Sequence, residues 1–172
     1  MQHAGMPFEL RDAQAEDIAL LARLWFDGWQ DAHANILPAE LARHRTLASF
    51  HCRLVAAGSD LRIIGKPDEP LGFHLIKGDE LYQFYVAATA RGSGAATHLM
   101  TDALNCFRCA GIGSVWLACA IGNNRAARFY EKCGWRRAGV MTSELELGGT
   151  EFPLDVWRYE RHINADSDDG MY

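Results

Sequence analysis

The spacing of apolar and polar positions changes several times along this chain, and each change marks a new element. Residues 8–11 alternate and predict a short first strand that runs into the polar stretch 12–17. Ile18, Leu21, Trp25 and Trp29 then recur at three- and four-residue steps, the signature of a helix with one apolar face, with Glu16 and Asp17 near its start where negative charge is favoured. This helix is expected to fray around Gly28 and His33-Ala34-Asn35, and Pro38 to open a second helix as its first residue, with Leu41, Ala48 and Cys52 on one side. From Leu61 the pattern becomes that of strands. Residues 61–64 and 71–76 predict an antiparallel pair turned through 66–70, and Gly78-Asp79 leads into an apolar, aromatic central strand over 81–86. A helix over about 93–110 is stopped by Gly111 and Gly113, and a further buried strand begins at Val115. Strand, helix, strand in that order implies a parallel crossover. A short helix over 123–132 ends at Gly134, and a hairpin of about 135–147 and 151–162 turns at Gly148-Gly149. Residues 164–172 predict a polar, acidic, disordered tail after a single domain over 1–163.

Between the central strand and the helix after it, the loop 87–90 runs into Arg91, Gly92, Ser93 and Gly94, followed by Ala95, Ala96 and Thr97. A helix that starts on a glycine turn presents unpaired N–H groups and the positive end of its dipole, which suits a phosphate or pyrophosphate. A dinucleotide fingerprint needs a third glycine where Thr97 stands, and an NTPase loop needs a lysine, absent between Lys77 and Lys132.

Composition narrows the partners. The chain has 172 residues, 49% hydrophobic and 23% charged, with a formal net charge of −5. Asp166, Asp168 and Asp169 carry three of those charges, so the body is near neutral and a nucleic-acid partner held by a broad basic surface is not expected. Five cysteines cannot all pair, and no apolar signal segment opens the chain, so a reducing cytoplasm is expected. Cys106 and Cys109 lie deep in a predicted helix and are expected to be core-facing thiols, not a redox or zinc motif. No apolar run approaches the ~20 residues that span a bilayer.

Downstream, residues 123–135 read Asn-Asn-Arg-Ala-Ala-Arg-Phe-Tyr-Glu-Lys-Cys-Gly-Trp. Asn123, Ala126, Phe129, Tyr130, Glu131, Gly134 and Trp135 match one signature of the GNAT acetyltransferases, and Arg91, Gly94 and Ala96 match another, the Arg/Gln-x-x-Gly-x-Gly/Ala loop. The chain therefore resembles that family over roughly residues 8–162. The resemblance implies an α/β (α+β) fold: a mixed, mostly antiparallel sheet with a splayed parallel strand pair, flanked by helices. It implies acetyl-CoA as donor, CoA as product and no metal. The pyrophosphate would rest on residues 91–97, the pantetheine along Phe84, Tyr85 and Val86, and Asn123, Ala126, Phe129 and Tyr130 would form the opposite wall. Val86 N–H would polarise the acetyl carbonyl.

Transfer to an amine needs a neutral nucleophile, a donor for the developing oxyanion and a proton for the leaving thiolate. Tyr130 is the candidate acid, with a packed aromatic as the alternative, and Asn123 has a second role open to it as a helix N-cap. Ribosomal-protein-type members carry a base where this chain has Ala118. Glu80 resembles the glutamate of histone-type members and is the candidate base, with a solvated turn residue as its alternative; His74 is an outside candidate. Trp29, His33 and Asn35 are candidates for binding the acceptor, and a tryptophan facing the pocket would favour a cationic or aromatic one. The expected activity is acetyl-CoA-dependent N-acetylation of a primary amine on a small molecule or peptide; the family often dimerises through its last strands, which makes a homodimer a candidate assembly. The other reading is a non-catalytic acyl-CoA-binding or regulatory module.

Overall fold

The computed structural model describes residues 8–164. The chain runs β1 (Leu10–Asp12), α1 (Ile18–His33), α2 (Ala39–His44), α3 (Leu47–Ala57), β2 (Leu61–Lys66), β3 (Glu69–Lys77), β4 (Glu80–Val86), α4 (Ala95–Cys109), β5 (Ser114–Ala120), α5 (Asn124–Lys132), β6 (Arg136–Leu147) and β7 (Thr150–His162). The strands form one seven-stranded sheet in the order β1-β2-β3-β4-β5-β7-β6. All neighbours are antiparallel except β4 and β5.

That parallel pair is the expected splay. Among the described residues the register joins Glu80 to Trp116 alone, supported by Trp116 N–H donating to the Asp79 carbonyl at 3.1 Å. Beyond that point β5 continues along β7 through Ala120, and β4 continues along β3 through Val86. A gap therefore opens between them toward their C-terminal ends.

Successive side chains of a strand point to opposite faces, and here both faces are covered. Phe84 points toward α5, its ring stacked on Phe129 at 5.5 Å, whereas Tyr85 points toward α1, its ring stacked on Phe73 at 5.8 Å. On the α1 face Leu21, Trp25, Phe50, Leu54 and Phe73 form one apolar cluster; on the other face Met100, Phe107, Leu117, Tyr130 and Tyr159 form a second.

Four local expectations need correction. α1 is continuous through Gly28, because that glycine lets the helix lie against the Tyr85 ring, where a Cβ would stand 2.8 Å from Cδ1. Pro38 precedes its helix instead of starting it, with extended ψ, and the second helix is two. Arg45 breaks it, and Thr46 restarts it as an N-cap that accepts from Ser49 N–H at 3.1 Å. The restart changes the helical phase, so Phe50 and Leu54 are buried while Ala48 and Cys52 are exposed. Cys106 is half-buried and Cys109 exposed, because the core stripe of α4 runs through Leu99, Ala103 and Phe107. The acidic tail, apart from Asn164, lies outside the described residues. No helix among them is long and apolar enough to cross a membrane.

Candidate active site

A cavity of about 460 Å³ occupies the gap between β4 and β5 and extends under α1 and α2. Its first wall is the free edge of β4. Ala87 N–H donates to the Leu71 carbonyl at 2.7 Å, and hydrogen-bonding groups alternate between the two edges of an antiparallel strand. Phe84 and Val86, one position out of phase with that bond, therefore turn their N–H groups away from β3 and into the gap.

At one end of this edge the chain makes a single turn over Ala88–Ala90 and enters α4. Gly92 and Gly94 have φ of 75° and 89°, conformations that side chains with a Cβ rarely adopt, and Gly94 is the residue on which α4 begins. Ala95 N–H is held by Ser93 Oγ at 3.3 Å, and the N–H groups that follow are the unpaired donors of a helix start. Arg91, Gly92 and Ala96 line the cavity. Gly94 shapes the turn, Ser93 and Thr97 are exposed beside it, and Ala95 is packed into the core beneath it.

The second wall is α5. Asn123 caps this helix, its Oδ1 accepting from Ala126 N–H at 3.3 Å, and this leaves its amide N–H groups for a ligand. Asn123, Ala126, Phe129 and Tyr130 all line the cavity, so the capping role and the wall position hold together. The Tyr130 ring lies among Phe84, Phe129, Trp135 and Tyr159, with centroids 5.5 to 6.4 Å apart across this cluster. Burial raises its pKa above the ordinary phenol value of 10.0, so it is protonated at neutral pH.

Glu80 also lines the cavity, at the closed base of the splay, and burial raises its pKa above the ordinary 4.5. Ala118 lines the gap on β5 and offers no base. His74 does not belong to this site. It is fully buried on the α4 side of the sheet, where its Nε2 meets Asp102 Oδ2 at 2.8 Å. His74, Asp102 and Cys106 could together ligate a cation, but Arg62 already donates to both Asp102 oxygens at 3.1 and 2.7 Å.

Under α1, Trp29 and His33 line the cavity, their rings 5.3 Å apart, and burial pushes the His33 pKa down to about 4. Asn35 sits on an exposed turn outside the cavity lining. Trp25 does face the cavity, but the cation over its ring is the protein's own: the Arg53 guanidinium lies 4.4 Å from the ring centroid. Arg45, Arg53 and Tyr82 also line this end, as do Leu145, Leu154 and Val156 of the β6–β7 hairpin. None of these followed from a motif. At the opposite mouth Asp31 of α1 accepts from Arg125 of α5 at 2.8 Å and from Arg91.

The sequence and the fold are similar to those of known proteins. The family model for the acetyltransferase (GNAT) family matches residues 19–135. An uncharacterized N-acetyltransferase of Mycobacterium tuberculosis is 34% identical over 116 residues, 65% of this chain and 69% of that protein. Among solved structures, a GNAT protein from Rhodopseudomonas palustris superposes with a TM-score of 0.72 at 20% identity, covering 95% of this chain and 100% of that one. The PaiA N-acetyltransferase of Thermoplasma acidophilum, solved in complex with coenzyme A, gives a TM-score of 0.65 at 18% identity over 91% of this chain and 99% of its own. The matched span takes in the glycine turn, the splayed strands and the Asn123 helix, and on that ground the chain belongs to the acetyltransferase (GNAT) family.

Proposed function

We propose that this protein is an acetyl-CoA-dependent N-acetyltransferase acting on a primary amine of a small molecule or peptide, in a reducing cytoplasm suited to its five free thiols. The observation that carries the reading is the convergence, in one cavity, of the free β4 edge, the glycine turn before α4 and Tyr130. The residues present fit the donor: backbone N–H groups and an arginine at the phosphate end, an unpaired strand edge for an extended amide arm, and a neutral phenol beyond it. Bound acetyl-CoA supplies a thioester carbonyl open to attack by an amine.

The chain's own groups have distinct tasks. Val86 N–H donates to the carbonyl oxygen as negative charge develops there. Glu80, whose raised pKa favours it as a base, stands about 20 Å from Val86 at the six-residue spacing along β4 and accepts the amine proton through a chain of waters in the cavity. As the C–N bond forms and the C–S bond breaks, Tyr130 gives its proton to the departing sulfur. The test is to incubate the protein with acetyl-CoA and a panel of amines while following free thiol. Amine-dependent thiol release with matching acetylated product supports the reading. Tight acetyl-CoA binding without turnover of any amine would favour a binding module instead.

A further inference from the structure

We infer that the acceptor end of the cavity receives an anionic group of the amine substrate, a carboxylate or phosphate, between the guanidinium groups of Arg45 and Arg53. The inference rests on the acetyltransferase reading and names the class of its acceptor. Arg45 stands at the break between α2 and α3, is 9% exposed, and lines the cavity. Arg53 projects from α3 into the same end, anchored over Trp25 and donating to the Tyr82 hydroxyl at 2.8 Å. Among the described residues neither guanidinium forms an ion pair with a carboxylate. Glu80 is the one acidic residue among the described residues of the lining.

A buried charge with no partner is costly, because it loses hydration without Coulombic return. Burial and the neighbouring Arg53 both press against the charged form of Arg45, lowering its pKa, yet a guanidinium stays charged at neutral pH. The arrangement makes sense once an anion completes it. Guanidinium forks match carboxylates and phosphates with paired, charge-assisted hydrogen bonds. With the anion there, the substrate's amine is directed toward Glu80 and the β4 edge. The aromatic cation site at Trp25, already filled by Arg53, is closed to a cationic acceptor.

The experiment has a catalytic and a binding arm. In the first, amino acids are paired with their amides, and aminoalkyl phosphates with the corresponding amino alcohols, and kcat/KM for acetyl transfer is measured for each. At least one anionic member should exceed its neutral partner by about 10- to 100-fold, the range of charged hydrogen bonds. The carboxylate and phosphate series show which anion is preferred. Arg45→Gln should remove most of the preference, and Arg53→Gln serves as an independent second variant. In the second arm, the N-acetylated forms of the same pairs are titrated into CoA-saturated protein.

Turnover without charge preference overturns the inference and leaves the acetyltransferase reading intact. Charge-selective binding that is lost in the variants, with no turnover of any amine, keeps the anion site and overturns the acetyltransferase reading. Absence of both charge-selective turnover and charge-selective binding overturns the inference. Arg45→Gln should melt at the same temperature as the parent or higher, since it removes an unpaired buried charge; a purely structural Arg45 would instead lower the melting temperature in proportion to the loss of activity.

Discussion

Asp31 accepts a hydrogen bond from Arg125 at 2.8 Å, linking α1 to α5 across the mouth of the cavity, and the same carboxylate oxygen is engaged by Arg91 beside the glycine turn. The two arginines hold the Asp31 pKa below its ordinary value. The carboxylate occupies charge that a pyrophosphate on the α4 N-terminus would use.

Asp31→Asn should therefore tighten CoA binding. The groups are half-exposed, and such pairs are worth about 0.2–1 kcal/mol, so the gain is about 1.4- to fivefold. Calorimetric titration at two ionic strengths checks it, with the gain shrinking as salt rises. Weaker binding in Asp31→Asn would mean instead that the bridge holds α1 and α5 at the spacing the ligand needs.

Tyr130→Phe keeps the aromatic packing and removes the proton. It should lower kcat by about 10²–10⁴-fold while leaving CoA affinity within about twofold. Because burial raises the Tyr130 pKa above 10.0, the acid form persists at alkaline pH, and the wild-type rate should show no descending limb from this group below that point. Glu80 gives the complementary limb: its raised pKa moves the rise in rate with pH above the ordinary carboxylate range, and Glu80→Gln should abolish that rise. A pH–rate profile of the chemical step reads both.

The walls of this cavity built by the glycine turn and α5 were legible in the sequence because backbone demands fix residue types there. Gly92 and Gly94 are needed for positive φ, Asn123 for capping, and Tyr130 two turns further along the same helix for facing the same gap. The end of the cavity lined by Arg45 and Arg53 was not legible. Arg45 enters the cavity from the break where α2 ends, with φ −96° and ψ 64°, and Arg53 is placed by packing against Trp25 and Tyr82, residues distant in sequence. Gly28 illustrates the same limit. Its local propensity predicts a frayed helix, whereas tertiary packing uses its missing Cβ to seat the helix against Tyr85.

Gly28→Ala thus separates the two readings. Relief of fraying would stabilise the protein. The structure predicts the opposite, because the new Cβ meets Cδ1 of Tyr85, and that ring is wedged against Trp25 at 6.2 Å and Phe73 at 5.8 Å. The overpacking should cost about 1–3 kcal/mol in chemical denaturation. It should also raise KM for the donor, since Tyr85 belongs to the strand whose edge lines the cavity.

Away from the site, Asp102 ties α4 to the sheet through Arg62 and His74. Burial alone would raise its pKa, but the hydrogen bonds from His74 and Arg62 outweigh this and bring it from 3.8 down to about 2. A carboxylate whose pKa is lower in the folded than in the unfolded chain stabilises the fold above the unfolded value and loses that contribution as pH falls through the folded one. Asp102 should therefore contribute about 2 kcal/mol at neutral pH, disappearing between about pH 4 and pH 2. Asp102→Asn should be less stable than wild type at pH 6, and the difference should close over that acid window in parallel urea titrations. A gap that stayed constant down to pH 2 would show that the carboxylate's charge is not what holds Arg62 and His74 in place.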